Sequence, residues 1–149
     1  MSSNSHCLLL VEDDPNDVFL MERALQRAKL QLPFHVAQNG EEAVSYLSGE
    51  SIYADRATYP IPQFVFLDLK MPLMDGFEVL EWIRDQPALA QLKVIVLSSS
   101  PEERDRDRAL RLGAQRYVIK PPTPEMLLEI MQSVPECRQE PRPAEKLEA

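Results

Sequence analysis

Hydrophobic and polar positions are grouped along this chain in blocks. Five short apolar runs, Cys7–Val11, Phe34–Ala37, Phe64–Leu67, Val94–Leu97 and Tyr117–Ile119, are separated by longer stretches of mixed polarity. Runs this short, rich in Val, Ile and Leu and lacking strict alternation, predict strands covered on both faces. The stretches between them predict helices. Asp14-Pro15 reads as an N-cap followed by proline in the first turn, opening a helix that reaches about Lys29. Gly40–Ser48 and Phe77–Gln86 predict two shorter helices, the second ended by Pro87. Pro101–Leu112 predicts a fourth helix, closed by Gly113, and Thr123-Pro124 opens a fifth over Glu125–Val134. Strand and helix thus alternate five times, which predicts an open parallel sheet with helices on both faces: a doubly wound α/β domain.

Two segments depart from this rhythm. Residues 49–63, "GESIYADRATYPIPQ", exceed the usual helix-to-strand connection of ~2–6 residues and read as an inserted loop. Pro135–Ala149 carries prolines and charges with little to bury, so it reads as a flexible tail, leaving residues 1–134 as one domain. Fifteen such residues cannot build an output domain, so no DNA-binding region is expected.

Composition narrows the partners. The formal charge of −8 argues against nucleic acid, because neutralising phosphates takes clustered Lys and Arg. No apolar run approaches the ~18–20 residues of a membrane span, and "MSSNSHCLLLVEDD" lacks the basic start of a signal peptide. Two cysteines make no disulfide framework and fit a reducing, cytoplasmic setting.

Candidate chemistry gathers at one sheet edge. In open parallel sheets, ligands bind beyond the carboxyl ends of the strands. The first run ends in Glu12 and Asp13, the third in Asp68, the fourth in Ser98 and the fifth in Lys120. Taken singly, Asp13 or Asp14 could cap a helix, Asp68 could serve a turn, Ser98 could open a helix and Lys120 could be solvated. Capping does not explain acids and a lysine converging from separate strands. Two carboxylates ~4 Å apart repel by roughly 4 kcal/mol at an effective dielectric of ~20, so a positive partner is needed. Without His or Cys nearby, hard oxygen donors suit Mg²⁺, with Mn²⁺ as the alternative. A dication, a lysine and a small hydroxyl together suit a phosphoryl group.

The segments "LLLVEDDP", "FLDLKMPLMDG", "VIVLSSS" and "GAQRYVIKP", in this order and spacing, resemble the receiver domain of two-component response regulators, the CheY-like family. The resemblance covers about Cys7 to Val134. It implies a flavodoxin-like (βα)5 sandwich with strand order 2-1-3-4-5. It also implies that Glu12, Asp13, Asp68 and the backbone carbonyl of Lys70 hold Mg²⁺. Asp68 would take a phosphoryl group from the histidine of a sensor kinase, and Lys120 would bind its oxygens. Ser98 would turn toward the aspartyl phosphate, and Tyr117 would move inward with it as an aromatic switch. Pro121 would follow a cis peptide bond. Protein contacts would carry the output, the chain catalysing its own phosphorylation and slow dephosphorylation. "VEDDPNDVFLMERAL" and the long insertion look like the single-domain regulators that serve phytochrome-type kinases. Pro122 departs from the family pattern, where a bulky apolar residue is usual, and Ser98 stands where Thr is frequent.

The same resemblance places a kinase interface on the first helix and the loop after the fifth strand, around Val18, Phe19 and Pro122. On a helical wheel Phe19 lies away from the face shared by Leu20, Met21, Ala24, Leu25 and Ala28, so it either folds onto a loop or meets that partner. Trp82 similarly lies off its helix's apolar face, where it covers the insertion or marks a self-association surface. The charge-dense "PEERDRDRALRLG" predicts a solvated helix face with i,i+4 pairs. A histidine phosphotransfer protein as recipient and a homodimer are further expectations. Two other classes share some of this chemistry: Mg²⁺-dependent phosphohydrolases with an aspartyl phosphate, and phosphate-independent binding modules on the same fold. The former place the nucleophile after the first strand in an Asp-x-Asp pattern, and the latter usually lose an acid or the lysine.

Overall fold

The apolar runs form a five-stranded parallel sheet in the order β2-β1-β3-β4-β5, in a computed structural model that describes residues 7–132. The expected tail at 135–149 lies outside the described residues. The strands are β1 (Leu8–Val11), β2 (Phe34–Ala37), β3 (Phe64–Asp68), β4 (Lys93–Ser98) and β5 (Arg116–Ile119). The helices are α1 (Pro15–Arg27), α2 (Gly40–Ser48), α3 (Gly76–Arg84), α4 (Glu103–Arg111) and α5 (Pro124–Gln132).

Alternate residues of each strand enter opposite layers, as pleating requires. Leu8, Leu10, Phe64, Phe66, Ile95, Leu97 and Val118 pack with Met21, Ala24 and Leu25 of α1 and with Leu127 and Ile130 of α5. Leu9, Val11, Val65, Leu67, Val94 and Val96 pack with residues of α2 and α3 and with Ala109 of α4. Each buried Val, Leu, Ile or Phe contributes roughly 1.5–3 kcal/mol, so the sheet is a firm platform for whatever its edge carries.

Burial on both faces holds for β1, β3 and nearly all of β4, but not for the edge strands. Val36 of β2 is 36% exposed and Ile119 of β5 is 45% exposed. An edge strand has a neighbour on one side only, so helices cover it incompletely. Helix ends also shift. α1 stops at Arg27 because Lys29 adopts a positive φ of 60°, and α4 begins at Glu103 instead of Pro101. The predicted caps form: Asp14 accepts from the Asn16 N–H at 2.9 Å, and Thr123 Oγ1 accepts from the Met126 N–H at 3.1 Å. Gly113 follows α4 with φ +111°, a conformation that favours glycine. The i,i+4 pairing expected along α4 gives way to an exposed Arg104–Glu102 contact and to Arg108 stacked 4.0 Å over the Phe77 ring.

The insertion is an organised segment, not a plain loop. It contains a 3₁₀ turn at Ser51–Ala54, and Tyr53 and Tyr59 pack with Tyr46 at centroid distances of 5.0 and 5.9 Å. Trp82 is half-buried against the same core layer, which also receives Tyr53 and Tyr59.

Candidate functional site

Strand register decides which side chains meet at the carboxyl edge. Val11 pairs with Leu67, so the next residues, Glu12 and Asp68, stand side by side. Asp68 pairs with Leu97, and Ser98 pairs with Ile119, which places Lys120 just past the end of β5. Glu12, Asp68 and Lys120 continue the alternation that points toward α1 and α5. Ser98 and Tyr117 belong to the opposite alternation, toward α3 and α4.

Lys120 is the hub. Its Nζ donates to Asp17 Oδ2 at 2.8 Å and to Glu12 Oε1 at 2.9 Å, and lies 3.3 Å from Asp68 Oδ1. The Lys120–Pro121 peptide is cis. Glu12 and Asp68 are almost fully buried, whereas Asp13 is exposed. Carboxylate oxygens of Glu12, Asp13 and Asp68 all lie within 4.8 Å of one another. These donors are hard oxygens converging on a point, which fits Mg²⁺ or Mn²⁺. Beside them a cleft of about 340 Å³ opens between Glu12, Asp13, Pro15, Val18, Val36 and Gln38.

Burial sets the electrostatics. It pushes the Glu12 carboxyl up to about 7, the Lys120 ammonium opposing and the Asp68 charge reinforcing the shift. Burial likewise raises Asp68, against the pull of Lys120. Burial alone would lower Lys120, but hydrogen bonds to Asp17 and Glu12 and the charge of Asp68 outweigh it and hold the ammonium protonated.

The hydroxyl side of the site is a separate network. Ser98, 1% exposed, accepts the Ser100 N–H on its Oγ at 3.0 Å. Tyr117 donates its hydroxyl to the Ser100 carbonyl at 2.7 Å. Ser100 therefore links the two, and its own Oγ donates to Asp105 Oδ2 of α4 at 2.8 Å. Lys70 is exposed, and its N–H faces Asp68 Oδ1 at 3.5 Å. Gly76 opens α3 against this loop: a Cβ there would fall on the Asp68 carbonyl oxygen, so only glycine lets the helix start so close.

Of the interface candidates, Val18 and Pro122 are half-buried, and Phe19 is 54% exposed, so it is not folded away under a loop. Asp17 and Ser100 were not singled out from sequence. Asp17 stands in the first turn of α1, just after the acid-rich run Glu12-Asp13-Asp14, and that clustering of acids is the signal that could have found it. Ser100 acts largely through backbone atoms and leaves no such mark.

The arrangement presents a buried carboxylate, Asp68, beside the Lys120 ammonium and an oxygen cluster able to hold a cation. The model of the response regulator receiver domain matches residues 8–132, and the chain belongs to that family. Among relatives, the transcriptional regulatory protein GltR of Pseudomonas aeruginosa is 34% identical over 128 residues, covering 86% of this chain and 48% of that one. The chain therefore spans about half the length of that relative. Among solved structures, the bacteriophytochrome response regulator AtBRR superposes with a TM-score of 0.82 at 34% identity, over 94% of this chain and 99% of that one. The phosphorylated cyanobacterial phytochrome response regulator RcpA gives 0.73 at 32% identity, covering 89% and 93%. The Mn²⁺-bound response regulator Rcp1, from Synechocystis, gives 0.71 at 29%, covering 86% and 90%. Among the described residues, no helix is long and apolar enough to cross a membrane.

Proposed function

We propose that this chain is a cytoplasmic response regulator, with its receiver over residues 1–134, that accepts a phosphoryl group on Asp68 from a phytochrome-type sensor histidine kinase. The observation that carries the proposal is the buried Asp68 carboxylate held 3.3 Å from the Lys120 ammonium, inside an oxygen cluster sized for one cation. Likeness to bacteriophytochrome and phytochrome response regulators supports the choice of kinase.

In this mechanism an Asp68 oxygen forms the bond to phosphorus while the phosphorus–nitrogen bond of the donor phosphohistidine breaks. The electron pair returns to the departing imidazole. Glu12, Asp13, Asp68 and the Lys70 carbonyl would hold Mg²⁺ or Mn²⁺, which supplies charge neutralisation of the phosphoryl oxygens. Lys120 binds a phosphoryl oxygen with an ammonium that burial and its carboxylates have already placed. Ser98 gives up the Ser100 N–H to bond the phosphoryl group, which loosens the Ser100 carbonyl that Tyr117 holds. Phosphorylation thereby biases the β4–α4 connection between two arrangements. The family's slow self-dephosphorylation, onward transfer to a histidine phosphotransfer protein and homodimerisation belong to the same proposal. Val18, Phe19 and Pro122 form the surface that the kinase reads.

The test is incubation with acetyl phosphate and Mg²⁺, followed by intact mass measurement. Wild type should gain one phosphoryl group and Asp68→Asn none. Label that persists in Asp68→Asn, or turnover of small phosphate esters, refutes the assignment.

A further inference from the structure

The Lys120 ammonium carries three N–H groups and faces three carboxylates, one from each of Asp17, Glu12 and Asp68. Two of these also belong to the oxygen cluster that suits a dication; Asp17 does not. Asp17 lies in the first turn of α1, and its side chain is 26% exposed. An acid there favours the helix dipole from an ordinary solvent-facing position. The dipole does not explain why its carboxylate reaches a lysine 103 residues away at 2.8 Å.

A dication held by Glu12, Asp13 and Asp68 would compete with Lys120 for two of its three carboxylates and would repel the ammonium. Asp17 is the partner left to hold it. We propose that Asp17 is a positioning residue: it anchors the Lys120 ammonium beside the occupied metal site. Lys120 then neither competes with the ion for Glu12 and Asp68 nor swings away from the incoming phosphoryl group. This rests on the metal and phosphoryl roles proposed above. It adds a fourth carboxylate whose function is exerted through the lysine.

The experiment measures Mg²⁺ affinity by calorimetry and labelling rate at saturating Mg²⁺, at pH 8, in wild type, Asp17→Asn and Asp17→Glu. Affinity is also measured in Lys120→Met and in Lys120→Met with Asp17→Asn. Asp17→Asn should weaken Mg²⁺ binding about fivefold and slow labelling about tenfold, with Asp17→Glu recovering part of both. In the Lys120→Met background, Asp17→Asn should change Mg²⁺ affinity by less than about twofold, because the lysine through which it acts is gone. An equal loss in both backgrounds means Asp17 acts as a nearby charge and overturns the proposal, as does an unaltered Asp17→Asn protein. Wild type that takes up neither Mg²⁺ nor label overturns the underlying functional reading, an outcome distinct from the other two.

Discussion

Two cations in this molecule each face three oxygen acceptors, in different surroundings. Arg56, in the insertion, donates to the backbone carbonyls of Tyr46 at 2.8 Å, Tyr59 at 3.1 Å and Leu47 at 3.0 Å. Its guanidinium also lies 5.8 Å from the centre of the Tyr46 ring. Those acceptors are neutral, and two of them, Tyr46 and Leu47, lie in the last turn of α2, so Arg56 ties the end of that helix to the insertion. Lys120 instead faces three carboxylates, with Asp13 close by. At Arg56 the chemistry is complete: donors and neutral acceptors match, and no ligand is called for. At Lys120 negative charge exceeds positive within a largely buried space, and the balance can be restored by a cation from outside. The charge of the acceptors, more than their number, separates the clamp from the site.

The largest expected effect tests whether the clamp is purely structural. Arg56→Met removes three charge-assisted hydrogen bonds and should cost about 2–3 kcal/mol in urea unfolding. Mg²⁺ affinity of the folded protein should stay within about twofold, because no Arg56 contact reaches the carboxyl edge of the sheet. A parallel loss of Mg²⁺ binding would show that the two regions are not independent and would break the comparison.

A smaller effect concerns the excess charge itself. The folded-state value of Glu12, about 7, lies above its unfolded value of ~4.3, so the folded protein binds an extra proton between those limits. Metal-free protein should therefore lose stability as pH rises from about 4.3 to about 7. Binding a dication requires the ionised carboxylate, so Mg²⁺ affinity should fall about tenfold from pH 8 to pH 6. Calorimetric titrations at the two pH values measure this, and Glu12→Gln should remove the pH dependence while weakening binding. An affinity that is flat across this range in wild type would mean that Glu12 is already ionised at pH 6, and that burial does not hold its carboxyl near 7.

The strand edge was legible in sequence because a buried run that stops at a carboxylate is chemically odd; all five residues of β3, Asp68 included, are buried. The fold followed from block patterning, since each run had only one length of strand to offer. What escaped had ordinary explanations at the level of sequence. Asp17 looked like an acid at a helix start, and its partner is set by the path of β5. The length of residues 49–63 marked an inserted loop, but nothing local signals that Arg56 finds three carbonyls there. Val36 and Ile119 looked like core residues because periodicity does not tell an edge strand from a central one.

Phe19 offers the smallest effect and the finest test of how far the reactive rim extends. Neither cation network includes it, and it stands more than half exposed two residues after Asp17 on α1. A large apolar side chain left in water beside a reactive site has little to contribute to folding, so Phe19→Ala should change stability by only about 0.5 kcal/mol. If the cognate kinase docks on this part of α1, the same truncation removes a buried aromatic anchor from the complex. Transfer from the kinase should then slow about fivefold, while labelling by acetyl phosphate keeps its rate. The small donor needs only Asp68, its cation and Lys120; the kinase also needs a surface. Equal slowing with both donors would place Phe19 within the reactive rim, and no slowing with either would take α1 out of the kinase interface.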